Sequence, residues 1–140
     1  MKSFNILLVE DNEGDILLTT EAFEESKIIN IIEVIRDGKE AINFFNGLNN
    51  KEDIPDLVLL DKNLPKMNGH EVLMYIKNNE KYKHIPVIML TTSSSEKDIL
   101  QSYKSHVNCY ITKPVDVNDF MQAVTKIEDF WINIVSIPKN

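Results

Sequence analysis

Five short apolar runs recur along the chain, at residues 5–9, 30–34, 56–60, 87–90 and 109–112. Each is apolar at nearly every position rather than alternating, the pattern of a strand covered on both faces, as in a parallel sheet between helix layers. Amphipathic segments separate and follow them. In the last, Phe120, Ala123, Val124, Ile127, Phe130, Trp131 and Ile134 recur three and four residues apart and predict one continuous helical face. Asp116 is placed to cap that helix, with Asp119 three residues on. Ala41, Phe44, Phe45 and Leu48 predict a second helix after Asp37-Gly38, and Val72, Tyr75 and Ile76 a third after Asn68-Gly69. The first helix is expected near Gly14-Asp15 with Leu18 and Ala22; the fourth follows Ser93-Ser94-Ser95 and carries Ile99, Leu100 and Tyr103.

A strand followed by a helix, five times over, is the pattern of an α/β fold. Right-handed crossovers wind such units into an open, doubly wound parallel sheet with helices on both faces, here expected in strand order 2-1-3-4-5. The 140 residues are too few for an eight-stranded barrel, and they read as one domain over 1–140 with no second or output domain. The polar stretch 46–55 is a connection between the second helix and third strand.

Charge narrows the partners. Fifteen Lys and Arg against 22 Asp and Glu give a net charge of −7, and Arg36 is the only arginine. DNA is therefore not expected as a partner, because phosphate contacts need clustered basic groups. Cys109 is the single cysteine and has no partner for an internal disulfide. The longest apolar runs are far shorter than the ~18 residues a membrane span requires, so no membrane association and a cytoplasmic location are expected.

In an open α/β sheet, ligands bind beyond the carboxyl ends of the strands, where the strand order reverses. With the order above, that crevice lies between the first and third strands. Glu10 and Asp11 follow the first strand, Asp61 the third, Thr91 the fourth and Lys113 the fifth. Three carboxylates held close together repel one another unless cations intervene. Lys113 supplies one positive charge and a divalent cation two more; Mg2+ suits a few carboxylate oxygens together with a phosphate oxygen. Asp61 is then placed as a nucleophile towards phosphorus, with Mg2+, Lys113 and the Thr91 hydroxyl neutralising the phosphoryl oxygens. An ionised carboxylate has no proton to lose, so no separate base is needed. His70, His84 and His106 lack ligand spacing and are not expected to bind metal.

At these residues the chain resembles the receiver domain of two-component response regulators. The resemblance rests on Val9-Glu10-Asp11-Asn12, on Leu60-Asp61-Lys62-Asn63-Leu64-Pro65 with Asn68-Gly69, on Met89-Leu90-Thr91-Thr92, and on Thr112-Lys113-Pro114. It implies a flavodoxin-like fold, with Asp61 as phosphoacceptor and Glu10, Asp11, Asp61 and the Asn63 main-chain carbonyl as Mg2+ ligands. It further implies that Thr91 and Lys113 bind the phosphoryl group, that Tyr110 is an aromatic switch turning inward with Thr91, that the Lys113-Pro114 bond is cis, and that Gly69 is structural. Thr92 is bulkier than the small residue many receivers place there.

The implied donor is a sensor histidine kinase, and the stand-alone form is similar to the single-domain regulators paired with bacterial phytochromes. Signalling would proceed through an unidentified protein target or a homodimer formed by the last-helix region, where Phe130 and Trp131 lie. Such a protein catalyses its own phosphorylation and dephosphorylation without being an enzyme acting on a separate substrate. Two alternatives remain at this point: an aspartate-nucleophile phosphohydrolase, disfavoured because Asn63 stands where a second acid is usual, and a phosphorelay intermediate. A flavodoxin-type electron carrier is disfavoured by the acidic loop Glu10-Asp11-Asn12-Glu13, where a flavin phosphate needs donors.

Overall fold

The computed structural model describes residues 4–25 and 30–138. The strands are β1 (Phe4–Val9), β2 (Asn30–Ile35), β3 (Leu57–Leu60), β4 (Val87–Thr91) and β5 (Cys109–Thr112). They alternate with α1 (Glu13–Glu24), α2 (Gly38–Asn46), α3 (Gly69–Lys77), α4 (Glu96–Lys104) and α5 (Val117–Glu128). All strand pairs are parallel and the order is β2-β1-β3-β4-β5. This is the flavodoxin-like, doubly wound (βα)5 arrangement expected from the sequence, with its reversal of direction between β1 and β3.

The continuous apolarity of the strands has the predicted cause. Leu7, Val9, Val58, Leu60, Val87 and Met89 pack on one face against Ala41 and Phe45 of α2 and Val72, Leu73 and Ile76 of α3. Ile6, Leu8, Leu57, Leu59, Ile88 and Leu90 pack on the other against Ile16, Ala22 and Phe23 of α1 and Phe120, Val124 and Ile127 of α5. Successive residues of the central strands β1, β3 and β4 thus enter opposite cores, so nearly every position there is apolar, while the edge strand β2 exposes Ile31 and Glu33.

Each α-helix starts beside the carboxyl end of the sheet with a side-chain cap. Asn12, Asp37, Asn68, Ser95 and Asp116 accept from the backbone N–H three residues on. These caps satisfy a donor that the helix leaves unpaired, and they fix the loops that carry the site.

The last helix departs from expectation. Its α-helical winding ends at Glu128 and continues as a π-helical stretch, Asp129–Ile134. The wider turn rotates the apolar stripe out of phase. Trp131 stays packed on the core, but Phe130 is 48% exposed and Ile134 63% exposed. Beyond Ile127, Trp131 is therefore the one residue of the spaced face that stays packed on the core. No helix among the described residues is long and apolar enough to cross a membrane.

Candidate functional site

The strand ladders themselves carry the site residues into place. The Glu10 N–H donates to the Ile35 carbonyl at 2.9 Å and the Asp61 N–H to the Val9 carbonyl at 3.0 Å, each one rung beyond its strand. The Lys113 N–H likewise donates to the Thr91 carbonyl at 2.7 Å. Glu10, Asp61 and Lys113 are consequently held by the hydrogen-bond ladder of the sheet and meet at the reversal point.

Lys113 occupies the centre, its side chain only 4% exposed. Its Nζ donates to Glu10 Oε1 at 2.5 Å, Asp15 Oδ2 at 2.8 Å and Asp61 Oδ2 at 3.1 Å. The other Asp61 oxygen, Oδ1, accepts from the Asn63 N–H at 3.1 Å, and Glu10 Oε2 accepts from the Asn12 N–H at 3.2 Å. Glu10, Asp11 and Asp61 each offer an oxygen within 4.8 Å of the others. A hard divalent cation fits such a donor set of three carboxylates, and none of the histidines belongs to it.

Electrostatics agree with the geometry. Burial works against the Lys113 charge, but its hydrogen bonds to Asp15 and Glu10 and the charges of Asp61 and Glu10 outweigh it, keeping the ammonium protonated well beyond its ordinary range. Burial pushes the Glu10 carboxyl up to about 7; the Lys113 hydrogen bond opposes this rise and the Asp61 charge adds to it. A divalent cation against Glu10 would favour its ionised form.

Asp15 was not among the sequence candidates. Its backbone N–H donates to the Asn12 cap at 2.9 Å, which turns the first helical turn over Lys113. The cap spacing was the available signal. Four carboxylates therefore face one ammonium, so a bound divalent cation would leave one net negative charge rather than the neutral site the sequence suggests.

Thr91 is wholly buried at the end of β4, with its Oγ1 accepting a long 3.5 Å hydrogen bond from the Ser93 N–H. Tyr110 is half-buried against the core, and its hydroxyl donates to the Ser93 carbonyl at 2.9 Å. Thr92 is exposed. One expectation is corrected: Lys113-Pro114 is trans, because there is no cis peptide bond among the described residues. A trans X–Pro bond is favoured by about 0.5–1 kcal/mol, and Lys113 reaches its carboxylates from it without isomerisation.

Gly69 is structural in a definite sense. Its N–H donates to the Lys62 carbonyl at 2.8 Å, and a Cβ there would lie 2.1 Å from the Asp61 carbonyl oxygen and 2.7 Å from Lys62 Cα. Both obstacles are backbone and cannot swing aside. Gly69→Ala is expected to destabilise the protein by about 2 kcal/mol, read as a lowered urea midpoint; a midpoint equal to wild type would show that the loop beneath Asp61 is not rigid.

Comparison with known proteins agrees with this picture. The chain matches the response regulator receiver domain over residues 6–125. It is 44% identical over 135 residues to the response regulator Rcp1 of Synechocystis, covering 95% of this chain and 92% of that protein. The Mn2+-bound structure of Rcp1 superposes with a TM-score of 0.91, covering 96% of this chain and 99% of that one. The phosphorylated cyanobacterial phytochrome response regulator RcpA superposes with a TM-score of 0.92 at 43% identity, covering 97% and 99% of the two chains. Sequence, fold and the acid cluster at the strand ends thus agree, and the chain belongs to the response regulator receiver domain family.

Proposed function

We propose that this protein is a cytoplasmic single-domain response regulator that accepts a phosphoryl group on Asp61 from a sensor histidine kinase. The observation that carries the reading is the Lys113 ammonium held between Glu10 and Asp61, beside a three-carboxylate cluster. An Asp61 oxygen attacks phosphorus, the bond from phosphorus to the kinase histidine nitrogen breaks, and the imidazole leaves with that electron pair. Glu10, Asp11, Asp61 and the Asn63 main-chain carbonyl would hold Mg2+, which supplies positive charge to the phosphoryl oxygens. Lys113 and the Thr91 hydroxyl bind those oxygens from the protein side, and Tyr110 follows Thr91 inward.

This chemistry is self-catalysed, since donor imidazole and acceptor carboxylate need only be aligned and neutralised. Similarity to Rcp1 and to the phytochrome regulator RcpA favours a bacterial phytochrome as the kinase. A homodimer through the last helix is supported by an apolar groove of about 330 Å3 between β5 and that helix, lined by Cys109, Ile111, Ile127, Phe130 and Trp131.

Incubation with phosphoramidate and Mg2+, followed by intact mass, tests the proposal. One added phosphoryl group is expected, and EDTA should prevent it. No addition, or addition that EDTA leaves unchanged, would overturn the metal-dependent reading.

A further inference from the structure

Beside the phosphoacceptor lies a second polar cluster that the chemistry above does not use. Asp98, in the first turn of α4, accepts from Ser93 Oγ at 2.6 Å on Oδ2, and Lys62 Nζ lies 3.5 Å from the same oxygen. The Asp98 N–H also donates to the Ser95 cap at 3.4 Å, which fixes the carboxylate on the helix. Ser93 is the residue whose carbonyl receives the Tyr110 hydroxyl, and Lys62 is the chain neighbour of Asp61. The Ser93 hydrogen bond, helped by Lys62, holds the Asp98 carboxyl below its usual range. Asp98 thus joins the loop after β3, the loop after β4 and helix α4 at one oxygen atom.

We propose that Asp98 is a positioning residue for Tyr110: by binding the Ser93 hydroxyl and the Lys62 ammonium together, it places the Ser93 carbonyl where the inward Tyr110 hydroxyl donates to it. Apart from the long hydrogen bond of its N–H to Thr91 Oγ1, Ser93 is held through its hydroxyl, and the only side chain bonded to that hydroxyl among the described residues is Asp98. Lys62 adds a charge that keeps Asp98 turned towards Ser93, and its backbone is pinned through the Gly69 N–H. The position of Tyr110 therefore depends on a carboxylate that touches neither it nor the phosphoacceptor. The inference rests on the reading of Asp61 as phosphoacceptor only for its meaning in signalling; the geometric claim stands apart from it.

The test is 19F NMR of protein labelled with fluorotyrosine, with Tyr110→Phe assigning the resonance. Tyr82, whose buried hydroxyl donates to the Phe45 carbonyl within the core, reports that each variant is folded. In unphosphorylated protein, Asp98→Ala should lower the ratio of inward to outward Tyr110 roughly two- to fivefold, the range for a partly exposed charged pair. Asp98→Asn, which keeps an acceptor for Ser93, should recover part of that loss, and Ser93→Ala combined with Asp98→Ala should add nothing further. An unmoved Tyr110 resonance in Asp98→Ala, an equal shift in the neighbouring Lys97→Ala, or an additive double variant would overturn the proposal.

A second arm adds phosphoramidate and Mg2+ and measures mass in parallel. Asp98→Ala should take up as much phosphoryl group as wild type while its Tyr110 remains less inward. If wild type itself takes up none, the phosphoacceptor reading fails, and the first arm still decides the role of Asp98.

Discussion

Replacing Lys113 with methionine is expected to lower the unfolding free energy by about 3 kcal/mol in metal-free buffer at neutral pH, because removing one partner strands the buried charges of the others. The side chains of Glu10 and Asp61 are 5% and 8% exposed, so water cannot take over from the ammonium. Two conditions should moderate the loss, and both follow from charge. Mg2+ should restore more stability to the variant than to wild type, since a site with one cation fewer binds a divalent ion more tightly and binding to the folded state stabilises it.

Acid should narrow the deficit. Glu10 is pushed from its ordinary 4.5 up to about 7 in the folded protein. A carboxyl raised in this way binds more protons folded than unfolded, so its contribution is fully present below 4.5 and is lost as pH rises through about 7. Loss of the Lys113 hydrogen bond raises Glu10 further, which should make the variant's deficit grow over this window. Chemical denaturation at several pH values, with and without Mg2+, measures all of this. A variant as stable as wild type, or a deficit indifferent to both metal and pH, would mean that the ammonium is not the electrostatic centre of the site.

The fold was legible because burial dictates it residue by residue. Strands such as 57–60 are uniformly apolar only if both faces are covered, and that requirement leads directly to a parallel sheet flanked by helices. The strand-end residues Glu10, Asp11, Asp61, Thr91 and Lys113 were legible for a related reason: the topology brings the ends of β1, β3, β4 and β5 to one edge.

What escaped depended on local winding or on side chains reaching across elements. The π-helical turn after Glu128 moves Phe130 and Ile134 outward, although their spacing is that of an ordinary helix. Asp15 reads in sequence as an acid in a first helical turn, and only the Asn12 cap reveals that it hangs over Lys113. Asp98 and Ser93 are five residues apart with no regular spacing to mark them, since they meet where a loop turns back onto α4. The Lys113-Pro114 geometry was an expectation from resemblance alone, and no feature of the dipeptide itself distinguishes the isomers.

Phosphorylation should be abolished in Asp61→Asn, the larger of all the effects expected here. The amide that replaces the carboxylate is a poor nucleophile and cannot form the acyl phosphate, while its shape preserves the acceptor for the Asn63 N–H. Loss of one acid also relieves repulsion in a site where four carboxylates face one ammonium, so the variant should remain folded and the effect should be chemical rather than structural. Asp11, exposed at the rim, and Asp15, in contact with Lys113, are the acids that could compete as acceptors.

Borohydride reduction of the phosphorylated protein, followed by peptide mass mapping, separates them directly, because an aspartyl phosphate is reduced to homoserine at the residue that carried it. The modification is expected at residue 61 alone and only when Mg2+ and donor are both present. Homoserine at residue 11 or 15, or undiminished phosphoryl incorporation in Asp61→Asn, would contradict the assignment.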